Sequence, residues 1–265
     1  MITTFRRILA VSCWQLAFGQ GVYSQTNVSN SYQIGIGGTE ILDTYLSQEK
    51  FRGTGATLLA TSERQKPGSQ WVTMLQHELN FASAKDRVET VNELQGDYTF
   101  FYGRYYSLPI GSRLTLQAGG VGALNLGFIY NNSNSNNPDQ GRVSLNLMPS
   151  ATAAYVFPLF HLPWTIRYEV ELPLVGVMFS PNYGQSYYEI FSQGNYDHNI
   201  VPVTFAAAPN IRQMLSLSCQ VSRSTTLRLG YLGDYQQAHV NNLKSHIYHH
   251  RVMIGFVRHL RFANE

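Results

Sequence analysis

The stretch GSRLTLQAGGVGALNLGFIY, residues Gly111 to Tyr130, decides the fold. Leu114, Leu116, Ala118, Leu124, Leu126, Phe128 and Tyr130 share one parity; Arg113, Thr115, Gln117, Gly119 and Asn125 share the other. Successive strand side chains point to opposite faces, so the segment has one apolar side and one polar side. A soluble sandwich uses strands of roughly five or six residues. Alternation sustained for this long suits a strand whose outer solvent is lipid, the design of a transmembrane β-barrel.

The pattern recurs. Trp164, Ile166, Tyr168, Val170 and Leu172 alternate with Thr165, Arg167, Glu169 and Glu171. Leu227, Leu229, Tyr231 and Tyr235 alternate with Arg228, Gly230, Asp234 and Gln236. Val143 to Phe157 and Met214 to Val221 follow the same rule. Tight connections at Leu108–Gly111, Pro158–Pro163 and Ser222–Thr225 alternate with long polar ones at Asn131–Gln140 and Pro181–Ala207. A barrel with periplasmic termini has this order of short inner turns and long outer loops.

The expected fold is all-β: a transmembrane, antiparallel, up-and-down barrel of about ten strands. They fall near 31–46, 50–64, 70–84, 91–107, 111–130, 141–158, 163–179, 209–222, 225–239 and 244–262. A hairpin hidden in Pro181–Ala207 makes the count twelve; a first segment outside the wall makes it eight. Asn131 to Pro138 is a polar, low-complexity surface loop.

Composition agrees. Charged residues are 13% of the chain and aromatics also 13%, with 22 glycines. Disorder needs the opposite balance. A net charge of +3, with Arg6 and Arg7 near the start, leaves no basic footprint for nucleic acid. No apolar run approaches the roughly 18–20 residues of a spanning helix. Arg6 and Arg7, the apolar Ile8–Phe18 and the small residues of Val22-Tyr23-Ser24 read as a secretory signal. Residues 1–24 are expected to be removed, leaving 25–265 as the barrel, with Ala17-Phe18-Gly19 a second cleavage site. Cys13 lies in the signal, so Cys219 alone survives and no intrachain disulfide forms. The last strand alternates Val252, Ile254, Phe256, Leu260 and Phe262, and is similar to the signal that barrel-insertion machinery reads.

Two groups of side chains could carry function. Arg113, Arg167, Glu169, Glu171, Arg228, Asp234 and Arg251 fall on polar faces and should meet in the lumen. An open water channel takes about 16 strands, so a barrel of about ten is expected to be plugged by paired charges. A polar conduction path is the other reading.

The second group lies at the outer end. Pro181–Asn199 holds five aromatics, too many for a solvated linker, and should fold over the barrel mouth. Tyr183, Gln185, Tyr187, Tyr188, Asp197, His198, Asp234, Tyr235, Gln236 and His239 are the candidate cap-binding residues. A rim hydrolase is the rival: Asp197 orients, His198 acts as base, and Ser186 or a water attacks. No run of residues fixes a catalytic set. His246, His249 and His250 have ligand-like spacing for a helix, but on a strand His249 faces away from the other two. Neither a metal nor a cofactor is expected.

The strings Leu42-Asp43-Thr44-Tyr45-Leu46-Ser47 and Ser180-Pro181-Asn182-Tyr183-Gly184-Gln185-Ser186-Tyr187-Tyr188-Glu189 carry a resemblance. So do Phe51–Gly55, Leu116–Gly120, Asn136–Pro138, Arg167–Glu169, Met178-Phe179 and Gly230–Tyr235. The chain resembles an uncharacterised family of Bacteroidetes outer-membrane proteins, a domain of unknown function. That implies a barrel and its location, and no catalytic residues. The expected role is structural or binding, in contact with outer-membrane lipid and with a glycan, lipid headgroup or partner barrel at the rim. A rim hydrolase acting on lipid or peptide and a small-solute channel are the alternatives.

Overall fold

The computed structural model describes residues 27–134 and 137–261, so the signal segment and Phe262 lie outside the described residues. The strands are β1 (Asn27–Asp43), β2 (Phe51–Gln65), β3 (Trp71–Lys85), β4 (Asn92–Ile110), β5 (Leu114–Asn131) and β6 (Asp139–Leu159). Then come β7 (Leu162–Glu171), β8 (Val175–Phe179), a single-turn helix α1 (Tyr187–Phe191) and β9 (Ile200–Thr204). β10 (Ile211–Gln220), β11 (Thr225–Val240) and β12 (Leu243–Arg261) finish the chain.

Every wall strand pairs antiparallel with its neighbours, and β1 pairs with β12 from Asn27↔Arg261 to Asp43↔Ser245, which closes the sheet. Ten strands form the barrel wall; β8 and β9 are additional. Closure satisfies the backbone groups that lipid cannot.

The expected strand 163–179 breaks after Glu171, because Pro173 has no N–H to give a ladder. β8 continues the same lane, pairing with β6 at Leu147↔Val175. β9, from the segment read as a connection, pairs with β8 at Phe179↔Ile200. The hairpin is therefore β8 with β9 rather than one contained in Pro181–Ala207, and it extends the wall upward rather than widening it to twelve strands. The β11–β12 connection at the long-loop end is short: Asn241 and Asn242 have φ of 51° and 60°, which suits a two-residue hairpin.

Side-chain parity follows the register. Ile36 and Ile254 point outward and are 69% and 62% exposed, an arrangement that is unfavourable in water and natural in hydrocarbon. Leu58, Leu124, Leu147 and Leu229 extend the apolar band around the wall. Toward the short-turn end Trp71 and Tyr106 meet edge-on, 5.4 Å apart, as in an interfacial girdle.

The interior is not polar throughout. Val72, Met74, Phe101, Tyr105, Val121 and Met148 form an inward apolar cluster, and Leu59, Met214, Leu232 and Met253 form another. Gly55 faces the interior where a Cβ would come within 2.5 Å of both Arg251 Nη2 and the Phe81 carbonyl oxygen. Only glycine leaves the guanidinium its place.

Candidate functional site: lumen network and cap

Toward the short-turn end, Arg167 Nη2 contacts Glu63 Oε1 at 2.7 Å and its Nε contacts Glu169 Oε1 at 2.7 Å. Arg228 lies beside this group and donates to Ser218 Oγ at 3.1 Å.

The second layer is larger. Arg212 donates to Glu78 Oε2 at 2.7 Å and to Glu171 Oε2 at 3.0 Å, with its guanidinium 5.0 Å from the Phe101 ring centre. Asn80 Nδ2 bridges Glu78 and Asp97, at 3.0 Å to each. Thr57 donates to Asn80 Oδ1 and accepts from Arg251 Nε, which ties the carboxylates to the second arginine. Arg251 also donates to the Gly38 carbonyl, to Thr39 Oγ1 and to His249 Nδ1. A guanidinium has no acceptor, so the Nδ1 it reaches carries no proton and the imidazole proton sits on Nε2. That nitrogen lies 4.0 Å from Asp97 Oδ1. Buried charges survive in this way when each is paired or hydrogen-bonded.

Arg167, Glu169, Glu171, Arg228 and Arg251 are thus inside the barrel. Arg113 is not: it is exposed in the turn between β4 and β5, where the chain reverses before the polar face begins. Sequence reading missed Glu63, Glu78, Asn80, Asp97 and Arg212, and it placed His249 at the rim. The parity that placed Arg167 also points Glu78 and Asn80 inward, beside Val72, Met74 and Gln76 on β3.

The cap candidates divide among three places. The first is a knot over the long-loop end. Tyr187 OH accepts from Gly141 N at 2.6 Å and donates to Gln140 Oε1 at 3.1 Å. Its ring meets Tyr45 edge-on at 5.9 Å. Tyr45 OH donates to the Gln185 carbonyl at 3.0 Å, and burial beside Asp43 and Glu189 pushes that phenol up to about 12, so it stays a donor. Burial raises the Tyr187 phenol as well. Gln185 Oε1 accepts from Asn199 Nδ2 at 2.7 Å, and Gln185 Nε2 donates to the Asn195 carbonyl at 2.9 Å. Ile190, the buried residue of α1, anchors the helix from its inner side.

Tyr183 and Tyr188 stand in solvent above this knot. Asp197 and His198 hydrogen-bond to each other in the open, held by Asn182 Nδ2 on the Asp197 carbonyl and Asn241 Nδ2 on the His198 carbonyl. Ser186 is committed elsewhere. Its hydroxyl accepts from Glu189 N at 3.2 Å and donates to Glu189 Oε2 at 3.0 Å, a capping box at the start of α1. The Ser186 backbone N–H, which donates to Glu189 Oε2 at 2.6 Å, and then the Ser186 hydroxyl hold the Glu189 carboxyl below the ordinary carboxylate range.

Asp234 and Gln236 are in the second place, the lumen, where Gln236 Nε2 donates to Asp234 Oδ2 at 2.8 Å. Tyr235 and His239 are in the third, on the outer wall: Tyr235 packs on Tyr248 and His250, and His239 is exposed. Register separates them, since neighbouring strand residues cannot share a face. Among the described residues no group of three metal-type donors assembles. His246 reaches outward to Glu40 at 3.2 Å while His249 faces inward.

A closed wall with an outward apolar band, aromatic girdles and an ion-paired interior defines a membrane-spanning β-barrel. The chain belongs to the family described as Protein of unknown function (DUF3316), whose model matches residues 6–265. No curated protein matches it. Among solved structures it is similar to the outer-membrane protease OmpT from Escherichia coli, at 9% identity over 93% of this chain and 99% of that one, with a TM-score of 0.47. It is also similar to the translocator domain of autotransporter NalP from Neisseria meningitidis, at 11% identity over 97% and 94%, with a TM-score of 0.40. The COG4313 outer membrane channel from Pseudomonas putida F1 matches at 9% identity over 92% and 100%, with a TM-score of 0.40.

Proposed function

We propose that this protein is an integral barrel of a bacterial outer membrane, of Bacteroidetes type, exported through a cleaved signal. Its lumen is closed, and its outer cap binds a saccharide. The observation that carries the binding role is the cap surface. Tyr183, Tyr188 and Tyr196 are 68%, 65% and 67% exposed on a segment fixed by hydrogen bonds of Gln185, Tyr187 and Asn199. Rings exposed on a mobile loop have no evident use. Held in place, they form a platform whose faces suit the C–H faces of sugars and whose hydroxyls suit sugar oxygens. The Asp197–His198 pair adds an acceptor and a donor at the same level.

The test is a glycan array probed with the full mature chain reconstituted in lipid nanodiscs. Binding to a discrete set of saccharides is expected, weakened about tenfold, or ~1.4 kcal/mol, in each of Tyr183→Ala and Tyr188→Ala. No saccharide bound, or binding indifferent to both substitutions, contradicts the reading. A lipid headgroup or a partner barrel then becomes the ligand to seek.

A further inference from the structure

The charges on the outward face differ between the two ends of the barrel. At the long-loop end they are paired: Lys50 and Arg52 both contact Glu40, at 3.2 and 2.8 Å, and Lys85 contacts Glu89 at 3.3 Å. At the short-turn end Arg64, Lys66, Arg104, Arg113, Arg223 and Arg258 are exposed, and among the described residues no aspartate or glutamate is exposed with them. The carboxylates of that end, Glu63 and Glu169, point into the lumen and are held by Arg167.

Two of these arginines are set side by side. The register places Arg64 of β2 opposite Thr73 of β3, and Thr73 opposite Arg104 of β4, so the three side chains form one outward row. Arg104 Nη1 donates to Thr73 Oγ1 at 3.1 Å, and its guanidinium stands 5.4 Å from the centre of the Trp71 ring. Trp71 meets Tyr106 edge-on, and the Tyr106 hydroxyl bonds to Gln70. The Arg104 side chain therefore lies along the wall toward the aromatic girdle, with most of its five donors unspent. Among the described residues the Arg64 guanidinium has no ion pair and no hydrogen bond. About 10 Å, two strand spacings, separates the two arginines along the sheet. Like charges that close at the edge of hydrocarbon repel, and an anion between them offsets both.

We propose that Arg64 and Arg104 hold the phosphate of an anionic phospholipid of the phosphatidylglycerol class, in the leaflet at the short-turn end. A guanidinium offers parallel N–H donors that match phosphate oxygens. Thr73 adds another donor, since its oxygen accepts from Arg104 and its own proton remains to give. The Trp71 ring restrains the Arg104 side chain and belongs to the girdle, the level at which lipid phosphates lie. The head group follows from what is missing. An ethanolamine ammonium finds no outward carboxylate here, because Glu63 faces the lumen with Arg167, and this favours a glycerol head. The proposal rests on the barrel lying in a phospholipid leaflet at its short-turn end. It does not rest on the saccharide platform, which the array tests separately.

The experiment uses the full mature chain in micelles of a neutral detergent that carry equimolar dioleoylphosphatidylglycerol and dioleoylphosphatidylethanolamine. Native mass spectrometry counts the lipid that stays on the barrel. About one phosphatidylglycerol per barrel is expected, preferred about tenfold over phosphatidylethanolamine. Arg64→Gln and Arg104→Gln should each weaken its retention about tenfold. Arg223→Gln, in the turn between β10 and β11, and Arg52→Gln, at the other end beside Glu40, remove the same charge and should leave retention within about twofold of the parent. Heat-dependent gel mobility identifies folded variants, and either site substitution suffices if the other fails to fold. Equal retention of the two lipids, folded site variants that retain as much as the parent, or Arg223→Gln and Arg52→Gln losing as much as the site variants overturns the proposal.

Discussion

Arg251 Nη2 reaches His249 Nδ1 at 2.9 Å, two residues away on the same strand, with both side chains fully buried. A cation that donates to an imidazole nitrogen fixes the tautomer, and the other ring nitrogen, Nε2, lies 4.0 Å from Asp97 Oδ1, beyond hydrogen-bond reach. Through Thr57 and Asn80 the same arginine is linked to Glu78 and, beyond it, to Arg212. One hydrogen-bonded chain therefore crosses the lumen between opposite walls.

Arg251→Met should destabilise the barrel by roughly 3 kcal/mol or more, because it leaves the buried acceptors Thr57, Thr39, His249 and the Gly38 carbonyl without their donor, at about 1–3 kcal/mol for each left unsatisfied. Urea unfolding in lipid vesicles reads this. A loss below about 1 kcal/mol shows that water enters and replaces the guanidinium.

Gly55→Ala should cost roughly 1–3 kcal/mol, because the new methyl overlaps both Arg251 and the Phe81 backbone. The same vesicle assay applies. The double variant Gly55→Ala/Arg251→Met should lose less than the sum of the two single losses, since the guanidinium is one of the two clashing groups.

Glu63 and Arg167 should show a coupling energy of ~1–3 kcal/mol in a double-mutant cycle to alanine. Additive losses disprove the ion pair as a unit.

The cap is expected to loosen in acid. The folded Glu189 carboxyl titrates below its ordinary value of 4.5. Its contribution is complete above that value and is lost as pH falls through the lowered folded value. Proteolysis within 181–199 should therefore accelerate below about pH 4. Glu189→Gln should be cleaved faster at neutral pH and lose most of the acid dependence, while Ser186→Ala, which keeps the backbone N–H bond to Glu189, should lose only part of it. A Glu189→Gln profile identical to the parent's excludes the capping box as the cause.

Much of the wall was legible because lipid imposes a strict rule. Outward Leu114, Leu124, Ile166 and Leu229 repeat at the period of a strand, and the rule admits few exceptions over ten strands. The lumen obeys a looser rule. Val72, Phe101, Val121 and Met148 point inward with Glu78 and Asp97, so an inward position can be apolar or charged and the sequence does not say which. Arg113 has the right parity and still stays outside, because parity has no meaning once the chain turns. Asp234, Tyr235, Gln236 and His239 are close in sequence and were read as one rim cluster, but strand geometry sends them to opposite faces. The α1 knot depends on Tyr45 and Gln140, distant partners that no local pattern announces.

The closed lumen is tested most directly by planar-bilayer recording on the refolded mature chain. Arg167 with Glu63 and Glu169, and Arg212 with Glu78 and Glu171, lie across a bore already narrow for ten strands. A silent membrane, with no discrete current steps at either polarity, is the expected result. Steady single-channel steps from the unmodified protein would contradict the account.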